Sequence, residues 1–246
     1  MLYRIILLML MCQAAIAGEV NVAVAANFAA PAKQIAQLFE KETGNRVSLS
    51  TGATGKFYAQ IREGAPFDVL LAADEKTPEL LEQQGLAVIS SSFVYAEGRL
   101  VLWSAKPGFV DDKGAVLGSG GDEKIAIADP KLAPYGRAAM EVLQNMGLMQ
   151  KLGSRVVTGE SIGQTYQFAA SGNAELAFIA LSQIMQNGRV SSGSWWLVSA
   201  NLYHPIRQAA VELTSAKDKK AADAFLAFLK SREAAAIIES YGYGMP

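Results

Sequence analysis

Strand-like and helix-like segments alternate along this chain after its first 17 residues, and no other feature restricts its fold as strongly. Residues 20–25, 46–50 and 69–72 are strand candidates, and residues 31–42 carry apolar side chains at helical spacing. Such alternation is typical of an α/β fold whose sheets are mainly parallel and flanked by helices. A chain of 246 residues is long enough for a full core and for two lobes.

The composition excludes several classes of partner. Hydrophobic residues make up 51% of the chain and charged residues 18%, which predicts a globular protein and not a disordered one. The net charge of -1 gives no reason to expect a nucleic acid or an anionic membrane surface as partner. A chain of this charge would have to capture an anion with local hydrogen-bond donors, because it has no strong positive field.

Residues 1–17 have the pattern of a secretory signal peptide. Arg4 precedes a short apolar run at residues 5–12, and Ala15-Ile16-Ala17 fits the small-x-small cleavage pattern. Cys12, the single cysteine, lies inside this segment and follows Met11, where a lipoprotein signal needs a small residue. Cleavage before Gly18 would leave an exported protein with no thiol, disulfide or cysteine-based metal site.

Two polar motifs each end an apolar run and open a helical segment. Ala26-Asn27 follows the first run, and Gly52-Ala53-Thr54-Gly55 follows the second. The first N–H groups of a helix have no partner within it, and the helix dipole places partial positive charge at this end. Two such motifs early in an exported chain predict a site for a small oxyanion.

An ordered set of short motifs resembles the periplasmic molybdate-binding proteins of ABC importers. The resemblance covers essentially the whole mature chain, and the set is specific although each motif alone is weak. The motifs are Val24-Ala25-Ala26-Asn27-Phe28, Gly52-Ala53-Thr54-Gly55, Gly64-Ala65-Pro66-Phe67-Asp68-Val69, Ala73-Asp74, Ala128-Asp129-Pro130 and Tyr241-Gly242-Tyr243.

The resemblance implies a type II periplasmic binding protein, with two α/β lobes and the ligand in the cleft between them. It implies molybdate or tungstate as ligand, no cofactor, a monomer in the periplasm, and an inner-membrane ABC permease with its ATPase as partners. Residues 1–17 would be the signal peptide. We expect lobe one at residues 18–98 plus 206–246, and lobe two at residues 99–205.

The resemblance also implies the ligand-binding residues. Asn27 would donate its backbone N–H and its side-chain amide, and Ala26 a backbone N–H. Thr54 would donate its hydroxyl and backbone N–H, Tyr135 would lie in the loop that opens the next helix, and Ile162 would donate a backbone N–H. Molybdenum would be held only as its oxyanion through these groups, with no catalytic residue.

One position departs from the common family pattern. Many members carry a tyrosine where Ala180 follows the apolar run of residues 176–179, so a phenol is missing there. Tyr135 could supply a phenol from the opposite side of the pocket. The departure leaves the number of donors open, and it keeps sulfate, phosphate or another small oxyanion as the main alternative ligand.

Two further alternatives have less support. A ferric-ion site would use tyrosines with histidine and a carboxylate. Tyr241, Tyr243 and the single histidine, His204, raise that possibility, but no adjacent tyrosine pair occurs. A secreted enzyme is disfavoured because the chain has one histidine, no thiol after cleavage and no Gly-x-Ser-x-Gly motif.

Overall fold

A computed structural model describes residues 17–119 and 121–246. All of the predicted signal peptide except Ala17, including Cys12, therefore lies outside the described residues. The strands are β1 Glu19–Ala25, β2 Arg46–Gly52, β3 Val69–Leu71, β4 Phe93–Gly98, β5 Leu100–Ser104, β6 Ile125–Ala128, β7 Val156–Gly159, β8 Leu176–Ala180, β9 Met185–Gln186, β10 Arg189–Val190, β11 Ser194–Leu197 and β12 Ile206–Glu212.

The α-helices connect these strands and pack on the sheets. They are α1 Ala29–Thr43, α2 Thr54–Arg62, α3 Lys76–Gln83, α4 Pro134–Asn145, α5 Met149–Leu152, α6 Ile162–Ala170, α7 Lys219–Leu229 and α8 Arg232–Ser240. A 3-10 turn at Ala26–Phe28 leads directly into α1. Within the ranges just given, no helix has the length and apolar character to cross a bilayer.

Two five-stranded sheets form the centres of two lobes. The first has the order β2-β1-β3-β12-β4, and we call the layers around it lobe one; the second has the order β11-β5-β8-β6-β7 and defines lobe two. Within each sheet four strands run in one direction and one runs in the opposite direction. The opposed strand is β12 in the first sheet and β5 in the second. These two strands are the first that the chain forms after crossing from one sheet to the other. The predicted two-lobed α/β class is confirmed, and each sheet is mixed, with two parallel and two antiparallel strand pairings.

The apolar residues of β1 show why this strand lies inside lobe one. Val20, Val22 and Val24 are fully buried on one face of the sheet, in a core shared with α1 and α7. Ala23 points to the other face, in a core shared with α2. A strand that is apolar on both faces fits only between two helical layers. Its carboxyl end is thereby fixed at the edge where the 3-10 turn begins.

Candidate functional site

The N-terminal ends of four helical segments, two from each lobe, meet at one small cavity. Ala26 and Asn27 begin the 3-10 turn before α1, Thr54 begins α2, Tyr135 is the second residue of α4, and Ile162 begins α6. The cavity measures about 10 Å³, roughly the space that one water molecule needs. Its other lining residues are Ala25, Gly52, Ala53, Ala73, Ala133 and Pro134.

The electrostatic character of this cavity comes from backbone dipoles. None of its lining residues carries a charge. Helix N-termini direct unpaired N–H groups and partial positive charge toward a common point. Within the described ranges, no side chain accepts a hydrogen bond from the backbone N–H of Asn27, Thr54, Tyr135 or Ile162. The structure thus brings all five predicted site residues together around one cavity suited to an anion.

Thr54 has a hydroxyl whose proton is free to donate. The residue is buried, with 2% of its surface exposed. Its Oγ1 accepts a hydrogen bond of 3.0 Å from the backbone N–H of Ala73, at the end of the neighbouring strand. That bond uses an acceptor lone pair and leaves the hydroxyl proton for another partner.

Asn27 uses its side chain differently from what the sequence predicts. Its Nδ2 donates to Oε1 of Gln208 at 2.8 Å and to the hydroxyl of Tyr243 at 3.0 Å. An amide nitrogen has two hydrogens, so both are engaged within the protein. In this arrangement the amide has no hydrogen left for a ligand, whereas the backbone N–H of Asn27 remains; what Asn27 donates to a ligand stays a prediction.

Tyr135 is buried, and its hydroxyl lies against Gln208 of β12 and Gly98 of β4. Burial raises its pKa well above the ordinary value, with a smaller contribution from Tyr243, so the phenol stays protonated at neutral pH. The hydroxyl accepts a hydrogen bond of 3.3 Å from Nε2 of Gln208. Within the described ranges, no acceptor is recorded for the hydroxyl proton itself.

Gln183 links the positions of Ile162 and Ala180 in lobe two. Its Oε1 accepts from the backbone N–H of Ala180 at 2.9 Å, and its Nε2 donates to the carbonyl of Ile162 at 2.9 Å. Ala180 is fully buried at the end of β8 and does not line the cavity. The position that lacks the family's tyrosine is therefore packed and hydrogen-bonded within the protein.

The two lobes touch across the mouth of the cleft. Lys56 of lobe one lies 2.7 Å from the carboxylate of Glu160 in lobe two, and Arg137 of lobe two lies 2.6 Å from that of Asp74 in lobe one. The backbone N–H of Gly55 also donates to the carbonyl of Leu132 at 2.9 Å. These contacts describe a closed arrangement of the lobes.

A family model described as bacterial extracellular solute-binding protein matches residues 20–244. The chain belongs to this family. It is 55% identical to the molybdate-binding protein ModA of Azotobacter vinelandii, over 96% of this chain and 94% of that one. It is 52% identical to ModA of Rhodobacter capsulatus, over 93% and 89% of the two chains.

A solved structure shows the same architecture. The Azotobacter vinelandii periplasmic molybdate-binding protein superposes with a TM-score of 0.90 and 46% identity, covering 92% of this chain and 99% of the other. The fold and the family are therefore those that the motifs predict, and these relatives are binding proteins and not enzymes.

Behind the cavity, this solute-binding protein contains a cluster of buried polar side chains that the sequence did not reveal. We call it the rear network; its members are Asn27, Tyr95, Tyr135, Ser182, Gln208 and Tyr243. The hydroxyls of Ser182 and Tyr243 each lie 2.8 Å from the backbone oxygen of Asn27. Ser182 belongs to the lobe-two side, so the network joins the lobes.

The groups that raised the ferric-ion alternative are separated in the structure. The Tyr243 hydroxyl is engaged in the rear network, while Tyr241 lines a different cavity of about 450 Å³. The His204 side chain is 90% exposed and lies 3.1 Å from Glu141. These three residues do not form one site, and nothing in their surroundings favours this alternative.

Proposed function

We propose that this protein is a periplasmic solute-binding protein that captures molybdate, and also tungstate, and delivers it to an ABC importer. The partners would be an inner-membrane permease and its ATPase, and the protein would act as a monomer after removal of residues 1–17. The observation that carries the proposal is the meeting of four helix N-termini at an uncharged cavity. The names of the two ModA relatives support molybdate as the ligand.

The proposed donors are backbone N–H groups and two hydroxyls. Ala26, Asn27, Thr54, Tyr135 and Ile162 contribute N–H groups, and Thr54 and Tyr135 also contribute hydroxyl protons. The metal is held only as its oxyanion, and no side chain bonds to molybdenum. Fixed dipoles can stabilise a buried dianion without a lysine or arginine if every oxygen of the anion receives a hydrogen bond.

Binding is proposed to proceed by closure of the lobes. The anion docks on lobe one against Asn27 and Thr54, and lobe two then brings Tyr135 and Ile162 to the remaining oxygens. A tetrahedral oxyanion is larger than a cavity of about 10 Å³, so the lobes must separate and the lining must widen to admit it. The anion favours closure only through its higher affinity for the closed state.

The lobe boundaries are part of this proposal. Residues 18–98 and 206–246 form lobe one, and residues 99–205 form lobe two. The strands of the first sheet fall in the first two segments and those of the second sheet in the third, which supports this division. The hinge then lies at the two crossings, near Arg99 and Pro205.

The donor-only character of the site sets its selectivity. A protonated oxyanion such as hydrogen phosphate brings an O–H that finds no acceptor, which costs free energy in a buried site. Sulfate is fully ionised at neutral pH, so only its smaller size disfavours it, because shorter bonds place some oxygens beyond hydrogen-bond distance. Molybdate and tungstate are nearly equal in size and should bind alike.

The experiment is thermal unfolding and calorimetric titration of the mature chain with molybdate, tungstate, sulfate and phosphate at equal concentrations. A ligand that binds only the folded state raises the melting temperature by mass action. We expect a rise with molybdate and tungstate and a much smaller one with sulfate. A larger rise with sulfate or phosphate would replace the ligand, and no rise with any of the four would contradict the proposal.

Thr54 provides the sharpest test of the site. Thr54→Val keeps the shape and removes the hydroxyl, and we expect molybdate affinity to fall about 10- to 100-fold, because a hydrogen bond to a charged group contributes about 1.5–3 kcal/mol. Thr54→Ser, which keeps the hydroxyl, should bind nearly as the native protein does. Equal affinities for Thr54→Val and the native chain would exclude Thr54 from the site.

A further inference from the structure

Gln208 is a buried glutamine that connects the two lobes directly behind the cavity. It is fully buried on β12, two residues after the point where the chain re-enters lobe one. The register between β12 and β4 shifts between Gln208 and Ala209. The extra residue lies on β4: Gln208 pairs with Ala96 and Ala209 with Val94, so Tyr95 has no partner on β12.

The two ends of this amide serve different lobes. Its Oε1 accepts from Nδ2 of Asn27 at 2.8 Å and from the hydroxyl of Tyr95 at 3.1 Å, and both partners belong to lobe one. Its Nε2 donates to the hydroxyl of Tyr135, at 3.3 Å, which belongs to lobe two. Gln208 thus contacts one candidate site residue from each lobe, while it does not itself line the cavity.

The backbone of β4 packs closely against this amide on one side. A Cβ atom at Gly98, on the neighbouring strand β4, would overlap the hydroxyl oxygen of Tyr135 and lie 2.7 Å from Nε2 of Gln208. The backbone of β4 therefore lies directly against this hydrogen-bonded pair. Close packing of this kind restricts the movement of both side chains.

We propose that Gln208 is a positioning residue that sets the affinity for the anion without touching it. It holds the Asn27 side chain, and with it the first turn before α1, and it holds the Tyr135 hydroxyl in the closed arrangement. Because Nε2 occupies an acceptor lone pair of that hydroxyl, the Tyr135 proton stays available for the anion. This inference rests on the proposed function and adds a residue to it.

The bond between Gln208 and Tyr135 joins the lobes in the closed arrangement, and the positioning role requires that it stabilise this arrangement. Loss of a contact made after docking should speed release of the anion and leave its capture unchanged. The signature of a positioning role is therefore a faster dissociation rate constant with a nearly native association rate constant. A purely structural role would lower the melting temperature and leave both rate constants as they are.

The test is stopped-flow and calorimetric measurement of molybdate binding by the mature chain and two variants. We expect Gln208→Leu to raise the Kd about tenfold, almost entirely through dissociation. Gln208→Glu, which is nearly isosteric, should raise the Kd further, because a carboxylate accepts the Tyr135 proton and adds negative charge behind the site. Gln208→Glu also provides the test of the positioning role if Gln208→Leu does not fold.

Asp68 provides the matched control. It is also buried on the lobe-one sheet, with 1% exposed, and its carboxylate accepts from the backbone of Asn21 and Lys217, all within lobe one. Asp68→Asn should therefore lower the melting temperature without changing the Kd. A double-mutant cycle of Gln208→Leu with Tyr135→Phe should be strongly non-additive, because both changes break the same bond.

The outcomes separate this inference from the function on which it rests. Native Kd and dissociation rate constants in both Gln208 variants, with only the melting temperature lowered, would overturn the positioning role alone. Full additivity in the cycle would do the same. A native chain that binds none of the four anions would overturn the proposed function, and this inference with it.

Discussion

The two lobes are joined by unlike chemistry at the front and at the rear of the cleft. At the mouth, Lys56–Glu160 and Arg137–Asp74 are ion pairs, and the Lys56 and Glu160 side chains are 47% and 65% exposed. Behind the cavity, the rear network joins the lobes through neutral side chains that are all buried. Both sets of contacts hold the lobes together, but solvent reaches only one of them.

This difference indicates which contacts determine the geometry of the closed state. An exposed ion pair contributes only about 0.2–1 kcal/mol, is screened by salt and tolerates movement. A buried hydrogen bond requires its partners at fixed positions, because an unsatisfied polar group costs about 1–3 kcal/mol. We therefore expect the rear network to determine the geometry of the closed state, and the mouth to adjust its population slightly.

The largest effect should come from crowding the rear network. Gly98→Ala places a methyl group against the Tyr135 hydroxyl and Gln208. Overpacking costs about 1–3 kcal/mol, so we expect molybdate affinity to fall between about 5- and 150-fold in calorimetric titration. Gly153→Ala is the control, since a Cβ there meets no atom within 4 Å. Native affinity for Gly98→Ala would show that the network adapts.

Alkaline pH should destabilise the fold through the buried tyrosines of the rear network. Burial is the main cause that raises the pKa values of Tyr95, Tyr135 and Tyr243 above the ordinary value of 10.0. Above about pH 10 the unfolded chain releases these protons while the folded chain keeps them, so the free energy of unfolding falls as pH rises. Below that pH both states are protonated and these groups contribute no pH dependence.

The measurement is the melting temperature between pH 8 and 11 at high salt, which screens the ion pairs. We expect a decline that begins near pH 10 and that is shallower in Tyr95→Phe, which has one buried phenol fewer. An identical decline in the native chain and the variant would mean that this phenol does not contribute.

A smaller effect on molybdate affinity is expected from breaking the Arg137–Asp74 pair, which is partly shielded from solvent. Asp74 is 17% exposed at its side chain; its Oδ2 accepts from Arg137, and its Oδ1 accepts from the backbone N–H of Thr77 in the first turn of α3. Arg137→Gln should raise the Kd for molybdate about threefold at low salt and less at high salt. An effect as large as that of Gly98→Ala would contradict the contrast between front and rear.

The smallest effect belongs to the most exposed pair. Lys56→Gln should change the Kd less than about twofold at 0.15 M salt, because solvent and ions screen this pair. Glu160→Gln should behave alike, and the double variant should match either single one. Calorimetry at two salt concentrations measures all three, and a tenfold loss in any of them would mean that the mouth also specifies closure.

Local signals indicate the helix starts at Ala26-Asn27 and Thr54, while Tyr135 and Ile162 are implied by the family resemblance. An apolar run, a polar turn and the start of a helix occupy neighbouring positions, and parallel strands bring such turns to one edge of a sheet. Ala26, Asn27, Thr54, Tyr135 and Ile162 consequently lie around one cavity. What these residues bind stays a prediction.

The rear network could not be predicted in the same way. Gln208 contacts Asn27 across 181 positions of the chain, and no local pattern predicts a contact over such a separation. Gln208 is a polar residue on a strand whose other buried residues are mostly apolar, so its sequence context predicts no hydrogen-bonding role for it.

The order of strands in the first sheet also bears on how the chain is made and exported. Strand β4 pairs with β12 and, through Glu97, with Gly244 near the C-terminus, and β12 lies between β3 and β4 although it is the last of the described strands. Until residue 212 has been synthesised, β4 has no neighbour and the first sheet stays split. Lobe one is therefore completed only after nearly the whole polypeptide has left the ribosome, so the nascent precursor remains incompletely folded until translation is almost over.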